Sequence, residues 1–320
     1  MARRKRGGNK LPGIVAIIVT LVVGFTVLTT AHERYDLGLP ALDLTSIGQV
    51  LGFNGGEPPS AVPLPEGNLA VHFIDVGQGD SALIIAPERT VLIDGGDNGQ
   101  GPNVLRYLAE QGVSEIDIMV VSHPHADHIG GLIDVVNALP VGEVIMPELS
   151  EEVTPTTRTY ENFLTALLEN DLSITVAAPG QMHYLGGGAR LSILAPLREY
   201  TSVNDSGVVV RLEFGETSFL FTGDIERAAE NDLAIRGGIR SNVLSVSHHG
   251  SRTSTTQIFL DAVAPNIAVI SCGLDNSYGH PHRYVIQRLE EAGVHILRTD
   301  FDGSIVLVSD GASIGIMTER

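Results

Sequence analysis

The stretch VVSHPHADHIGGL, residues 120–132, places His123, His125, Asp127 and His128 within six positions. The preceding segment IDIMVVS is typical of a strand, and IGGLIDVVNAL has the apolar spacing of a helix. The four side chains therefore lie on a loop at the carboxyl end of a strand, where α/β proteins commonly assemble their sites. In an extended loop His123 and His125 point the same way, while Asp127 and His128 can face a second point. Two pairs of ligands suit two adjacent metal ions.

The sequence around this loop alternates between strand and helix patterns. Three short strands are predicted at LAVHFIDV, SALIIA and TVLIDGG, and a helix that ends at glycine is predicted at PNVLRYLAEQG. The same alternation continues to the C-terminus. It predicts one layered α/β domain over residues 68–320, preceded by a linker over residues 32–67 that is rich in glycine and proline.

The N-terminus predicts a membrane anchor. Residues 1–10 carry five basic side chains and no acid, and residues 11–31 contain no charged side chain. An apolar run of this length can span the hydrocarbon layer of a bilayer. The basic flank favours a cytoplasmic N-terminus, so we expect a single-pass protein of the cell membrane with an extracytoplasmic domain. The alternative is a cleaved signal peptide and a secreted domain.

Composition limits the chemistry that the chain can perform. The formal net charge is −18, which makes the surface unfavourable for holding polyanions at long range, although a local basic groove is still compatible with it. Cys272 is the one cysteine of the sequence, so neither an intramolecular disulfide nor a cysteine-based zinc site can form. The stretch IAVISCGLD around it predicts a buried, unreactive thiol.

The segment HPHADH matches the H-x-H-x-D-H motif of the metallo-β-lactamase superfamily. Within that superfamily the chain resembles the C-terminal hydrolase domain of ComEC/Rec2 DNA-internalisation proteins. The resemblance is carried by FIDVGQGDSALI, LIDGGDN, SHPHADHIGGL, NDSGVVVRLEFGETSFLFTGDIE, SVSHHGSRTST and YGHPH. It implies an α/β fold of the αββα four-layer sandwich type, with a binuclear metal centre between its two sheets.

The resemblance also implies roles for individual residues. His123 and His125 would hold one metal ion, and Asp127 and His128 the other. Asp224 of FTGD would bridge the two ions.

Three further positions are assigned in the same way. Asp94 of LIDGG would orient ligands without binding metal. The sequence does not separate His248 from His249 in SVSHHGS: one should bind the second metal ion and the other should meet substrate. We assign His248 to the metal ion and His249 to catalysis.

The chain departs from many superfamily members before Asp224. Where they place a histidine beside the first metal ion, it has NDSG, with Asp205 as a candidate ligand. An oxygen ligand or an open position there weakens the preference for zinc, so the expected cofactors are two divalent ions, zinc or manganese.

These assignments predict a binuclear hydrolase in which the two ions supply hydroxide at neutral pH. Asp127, His249 and His280 of NSYGHPH are predicted to take part in catalysis, with His280 next to the leaving oxygen. The leading expectation is a phosphodiesterase or nuclease with a nucleic-acid substrate. With a single candidate membrane segment, a role in competence would need a separate DNA-uptake channel. The alternatives are hydrolysis of another phosphoester (phosphocholine or glycan phosphate) or of a lactone, and a noncatalytic surface binding module.

Overall fold

The computed structural model describes residues 67–320. Two mixed β-sheets stand at the centre of this part of the chain. The first has the strand order β15-β14-β1-β2-β3-β4-β5-β6, and the second has the order β13-β12-β11-β10-β9-β8-β7. The first sheet contains β1 (Leu69–Phe73), β2 (Ala82–Ile85), β3 (Thr90–Ile93), β4 (Ile116–Val120), β5 (Val141–Met146), β6 (Ile174–Val176), β14 (Ile305–Ser309) and β15 (Ile314–Thr318). The second contains β7 (Met182–Gly186), β8 (Ala189–Ala195), β9 (Val209–Phe214), β10 (Thr217–Phe221), β11 (Val243–Ser245), β12 (Ile267–Ile270) and β13 (His295–Arg298).

Helices cover the outer face of each sheet. They are α1 (Gly101–Glu110), α2 (Ala126–Ile129), α3 (Leu132–Ala138), α4 (Arg158–Glu169), α5 (Arg227–Arg236), α6 (Gln257–Val263), α7 (Arg283–Glu291) and α8 (Thr299–Asp302). A short 3-10 turn spans Ser247–Gly250. Buried side chains of α1, α3 and α4, such as Phe163, pack on the first sheet. Those of α5, α6 and α7, such as Phe259, pack on the second.

A third core fills the space between the sheets. Along β1, Leu69, Val71 and Phe73 face this inter-sheet core because alternate residues of a strand point to the same face. Leu191 and Phe219 meet them from the second sheet. Because helices cover both outer faces, strands such as β3 are buried on both sides and read as continuous apolar runs. The predicted αββα order of layers is confirmed.

Each sheet is antiparallel on one side and parallel on the other. Strands β3, β4, β5 and β6 pair in parallel in the first sheet, and β10, β11, β12 and β13 do so in the second. The carboxyl ends of parallel strands lie at one edge of a sheet. Asp94 and His123 follow β3 and β4, while Asp224 and His248 follow β10 and β11. The topology therefore brings together four segments that are far apart in sequence.

The helix predicted over residues 129–139 begins earlier, at Ala126, and is divided in two, so that Asp127 and His128, predicted on the loop, belong to α2. Gly130 and Gly131 separate α2 from α3, and both lie against the loop after β3. A Cβ atom on Gly131 would lie 2.0 Å from the carbonyl oxygen of Gly95. In the same contact, the N–H of Gly95 donates to the carbonyl of His128 at 2.7 Å. Glycine is required here by the close approach of two backbones, which sets the loop of Asp94 beside the histidine loop.

Two small elements give only a weak signal in the sequence. The stretch QMHYLGG of strand β7 mixes polar residues and glycines, and the strand lies at the edge of its sheet. The four-residue helix α8 is too short for a periodic signal.

The predicted basic flank, membrane anchor and linker, residues 1–10, 11–31 and 32–67, lie outside the described residues except at Gly67. Within residues 67–320, no helix combines the length and the apolar composition that a membrane crossing requires. Cys272 is buried, as predicted, and burial raises the pKa of its thiol to about 12.

We expect Gly131→Ala to lower the free energy of unfolding by about 1–3 kcal/mol, because the added methyl group overlaps a backbone carbonyl that cannot move freely. Urea denaturation of the full chain would measure the change. Gly315→Ala is the matched control, since its Cβ would lie at an ordinary 3.8 Å from the carbonyl oxygen of Val308. Equal unfolding midpoints for the two variants would contradict the close-approach explanation.

Candidate metal centre

A first group of potential ligands consists of His123, His125 and Asp224. Their donor atoms all lie within 4.8 Å of one another. Nε2 of His123 is 2.9 Å from Nδ1 of His125 and 3.7 Å from Oδ2 of Asp224. The two histidines face the same point, as the alternation of an extended loop predicts.

A second group consists of Asp127, His128, Asp224 and His249. Nε2 of His128 is 3.3 Å from Oδ1 of Asp224. Nε2 of His249 is 3.2 Å from Oδ2 of Asp127 and 3.5 Å from Oδ1 of Asp224. Because Asp224 belongs to both groups and presents one oxygen to each, its carboxylate lies where a bridging ligand would.

Two donor atoms of this centre are close together but make no hydrogen bond. Nε2 of His128 and Oδ1 of Asp224 are buried and have no hydrogen-bond partner, although they are close together. A buried polar atom without a partner costs free energy, and both atoms are ones that coordinate metal through a lone pair. Imidazole and carboxylate donors fit zinc, manganese and iron. The residues present therefore fit divalent cations.

Outer hydrogen bonds fix the orientation of the second group. Nδ1 of His128 is 2.9 Å from Oδ2 of Asp94, which also accepts from the hydroxyl of Ser122 at 2.6 Å. Nδ1 of His249 lies 3.2 Å from Oδ1 of Asp80 and 3.0 Å from the carbonyl oxygen of Ser271. Histidine ligands in proteins usually donate their second ring N–H to such an acceptor, which leaves Nε2 free for the metal ion.

The pKa shifts of the centre show how its histidines and carboxylates compensate each other's charge. Burial by itself lowers the pKa of His128, but the carboxylates of Asp224 and Asp94 outweigh burial and raise that pKa well above its ordinary value. Burial raises the pKa of Asp224, but His249 and His128 outweigh it, so the net shift is well below the usual range. The carboxylate is thus stabilised in its charged form by positive charge on its neighbours, and cations at the two groups would replace those protons.

His248 approaches the other side of Asp224. Its Nε2 lies 3.6 Å from Oδ2 of Asp224, and its Nδ1 lies 3.2 Å from Oε1 of Glu226. Its side chain is 22% exposed, whereas that of His249 is 1% exposed. The adjacent residues share a left-handed backbone, with φ of 52° and 54°, which turns their rings in different directions. His249 thus lies within the ligand group, and His248 is the more exposed of the two.

His280 lies next to both His248 and His249. Its ring centroid is 5.6 Å from that of His248 and 6.2 Å from that of His249. Its Nδ1 is buried without a hydrogen-bond partner. Burial, reinforced by His249 and His248, lowers the pKa of His280 to about 4. The ring is therefore neutral at neutral pH and can donate one hydrogen bond to a bound substrate.

The family model of the metallo-beta-lactamase superfamily matches residues 74–274. The chain belongs to this superfamily. ComE operon protein 3 of Bacillus subtilis (strain 168) is 31% identical over 73% of this chain and 32% of its own length. Competence protein ComA of Neisseria gonorrhoeae is 32% identical over 77% of this chain and 33% of its own length. The chain spans about a third of the length of these relatives.

A solved structure agrees with the fold. The metallo-beta-lactamase fold protein YhfI from Bacillus subtilis superposes with a TM-score of 0.51 at 13% identity, over 76% of this chain and 100% of that one. The resemblance to ComEC/Rec2 hydrolase domains is confirmed by the competence proteins among the relatives. The chain is a hydrolase of the metallo-β-lactamase superfamily that is related to competence proteins.

Two sequence predictions differ from the ligand groups of the structure. His249, predicted for catalysis, lies in the second group, and His248, predicted as a ligand of the second ion, lies in neither. Asp205, predicted as a ligand of the first ion, belongs to neither group. Its Oδ1 accepts hydrogen bonds from the N–H groups of Glu226 and Ala229 at 2.9 and 3.1 Å, at the start of α5. Unpaired N–H groups at a helix start need such an acceptor.

Asp80 is a further residue of the centre, and the sequence alone is equally compatible with a turn and with the support of a ligand there. Its signal is the GQGD turn, residues 77–80. Gly79 has a φ of 132°, and a Cβ atom there would lie 2.3 Å from the carbonyl oxygen of Asp127. Only glycine lets this loop lie against the histidine loop, and Asp80 then reaches His249.

We expect His249→Ala to lose one of two bound divalent ions per chain, because it removes a donor that Asp80 and Ser271 hold in place. His248→Ala and Asp205→Asn should retain both ions; asparagine keeps the oxygen that accepts from α5. Metal content by mass spectrometry, after dialysis against manganese or zinc, would test the assignment. Loss of an ion from His248→Ala but not from His249→Ala would restore the sequence prediction.

Proposed function

We propose that this chain is a metal-dependent phosphodiesterase that cleaves DNA. The observation that carries the proposal is the position of Asp224, whose two carboxylate oxygens face two separate groups of imidazole and carboxylate donors. Sites that hold two divalent cations in this way are suited to in-line displacement at phosphorus, because attacking and leaving oxygens can both be stabilised.

The residues would divide the work as follows. His123 and His125 would hold one cation, and Asp127, His128 and His249 the other, with Asp224 shared between them. Two such cations would supply hydroxide at neutral pH and neutralise charge on the phosphoryl group. His280, neutral and with an unpaired Nδ1, would donate a hydrogen bond to a phosphoryl or leaving oxygen. His248, the more exposed of the adjacent histidines, would contact the substrate as well.

The choice of DNA is supported by the relatives whose names refer to competence. A specific observation favours a second candidate, since a formal net charge of −18 is unfavourable for a polyanion and suits a smaller phosphoester. We rank DNA first because the similarity extends over about three quarters of this chain.

We also propose where the reaction takes place. The uncharged segment 11–31, with its basic flank at residues 1–10, would anchor the chain in the cell membrane and place the hydrolase domain outside the cytoplasm. In competence, its partner would be a separate DNA-uptake channel. Strand cleavage at the outer surface would then feed that channel.

The test is hydrolysis by the full chain, in detergent, loaded with manganese or zinc. Single-stranded DNA, bis(p-nitrophenyl) phosphate and a phosphocholine ester would be offered separately. We expect DNA cleavage that a chelator abolishes and that Asp224→Ala lowers by at least about 10²-fold, because even outer partners of metal ligands are worth 10- to 100-fold.

Asp261→Ala is the control, since it removes an exposed carboxylate on α6 that belongs to none of the ligand groups. It should cleave DNA at the wild-type rate. Metal-dependent cleavage of only the small esters would move the function to the second candidate. Absence of metal-dependent hydrolysis of all three substrates would contradict both.

A further inference from the structure

The loop between β12 and α7 places an exposed aromatic ring beside the metal centre. We propose that Tyr278, stacked on His280, is a binding platform for an unpaired nucleobase next to the phosphodiester that is cleaved. This inference deepens the proposed function and rests on it for the identity of the substrate. It adds a contact outside the metal-ligand groups, and that contact would select single-stranded DNA.

Three rings lead outward from the centre. The rings of His249 and His280 are 6.2 Å apart and inclined by 31°, and those of His280 and Tyr278 are 5.7 Å apart and inclined by 23°. The last pair has the offset-stacked geometry that aromatic rings prefer. A planar group that stacked on the open face of Tyr278 would continue the series. It would then lie two rings away from the ligand His249.

The tyrosine is both accessible and held in place. Its side chain is 70% exposed, so the face away from His280 is open to solvent. The side chain of Asn276 fixes the loop beneath it: Oδ1 accepts from the N–H groups of Tyr278 at 3.2 Å and His280 at 3.0 Å. Its amide group donates to the carbonyl of Gly273 at 2.9 Å and to that of His280. A loop ordered before binding loses less entropy when a ligand arrives.

Stacking suits this acidic protein better than phosphate attraction does. With a net charge of −18, the chain gains little from long-range attraction of a polyanion. Stacking of a base on an aromatic ring does not depend on net charge and accepts every base. It would strengthen binding by about tenfold or more per base, in addition to the contact between the phosphate and the cations.

The platform has a consequence for strand preference. In a duplex both faces of each base are covered by neighbouring base pairs. A base can reach Tyr278 only if it is unstacked, which is costly in duplex DNA and much less so in a single strand. Single-stranded DNA is therefore the expected substrate.

The experiment compares two labelled oligonucleotides with phosphorothioate linkages, a short oligothymidylate and an abasic strand with the same number of phosphates. Binding to the manganese-loaded full chain is followed by fluorescence anisotropy. We expect the wild type to bind the thymidylate at least about tenfold more tightly than the abasic strand, as one stacked base provides. Tyr278→Ala should remove this difference, and Tyr278→Phe should restore it.

Tyr184→Ala is the matched control, because Tyr184 is 68% exposed but lies on the edge strand β7. It should keep the wild-type preference. Equal affinity of the wild type for the two strands would overturn the proposal, and so would a preference that survives in Tyr278→Ala. If the preference depends on Tyr278 but no DNA is cleaved, the platform stands and the proposed nuclease fails. If DNA is cleaved but the wild type binds the two strands equally, the proposed nuclease stands and the platform fails.

Discussion

The buried carboxylate of Asp224 is the constraint on which the rest of the site depends. Nε2 atoms of His123, His128, His249 and His248 lie 3.3–3.7 Å from its two oxygens. A charge removed from water must be compensated, and here the compensation comes from two segments, one that follows β4 in the first sheet and one that follows β11 in the second. The two sheets must therefore meet with the carboxyl ends of their parallel strands at one place. The inter-sheet core, to which β1 and β10 both contribute, holds the two sheets in this arrangement.

The supporting contacts around this carboxylate follow the same logic. Each histidine of the second ligand group has an acceptor for its outer nitrogen: Asp94 serves His128, and Asp80 and Ser271 serve His249. Glycines at 79 and 131 allow the loops that carry these acceptors to lie against the histidine loop. The glycines thus determine how closely the loops approach each other. The carboxylates of Asp80 and Asp94 determine how the histidine rings are oriented.

Much of this arrangement could be predicted from the sequence because the decisive residues are close together in it. His123, His125, Asp127 and His128 lie within six positions, directly after the clear strand pattern of β4, and apolar runs marked most of the strands. Positions that depend on tertiary geometry were not accessible in this way. Adjacent left-handed residues turn His248 and His249 in directions that strand alternation does not describe. Asp205 lies near Asp224 along the chain, but the N–H groups at the start of α5 compete for its oxygen. The membrane anchor over residues 11–31 stays a prediction.

The carboxylate of Asp224 is expected to join two cations. Crystals of the manganese-loaded chain, measured at the manganese absorption edge, would locate each ion by its anomalous scattering. We expect two peaks about 3.5–4 Å apart, as in other two-metal hydrolases, with the carboxylate of Asp224 between them. A single peak, or two peaks of which only one lies within coordinating distance of Asp224, would contradict this expectation.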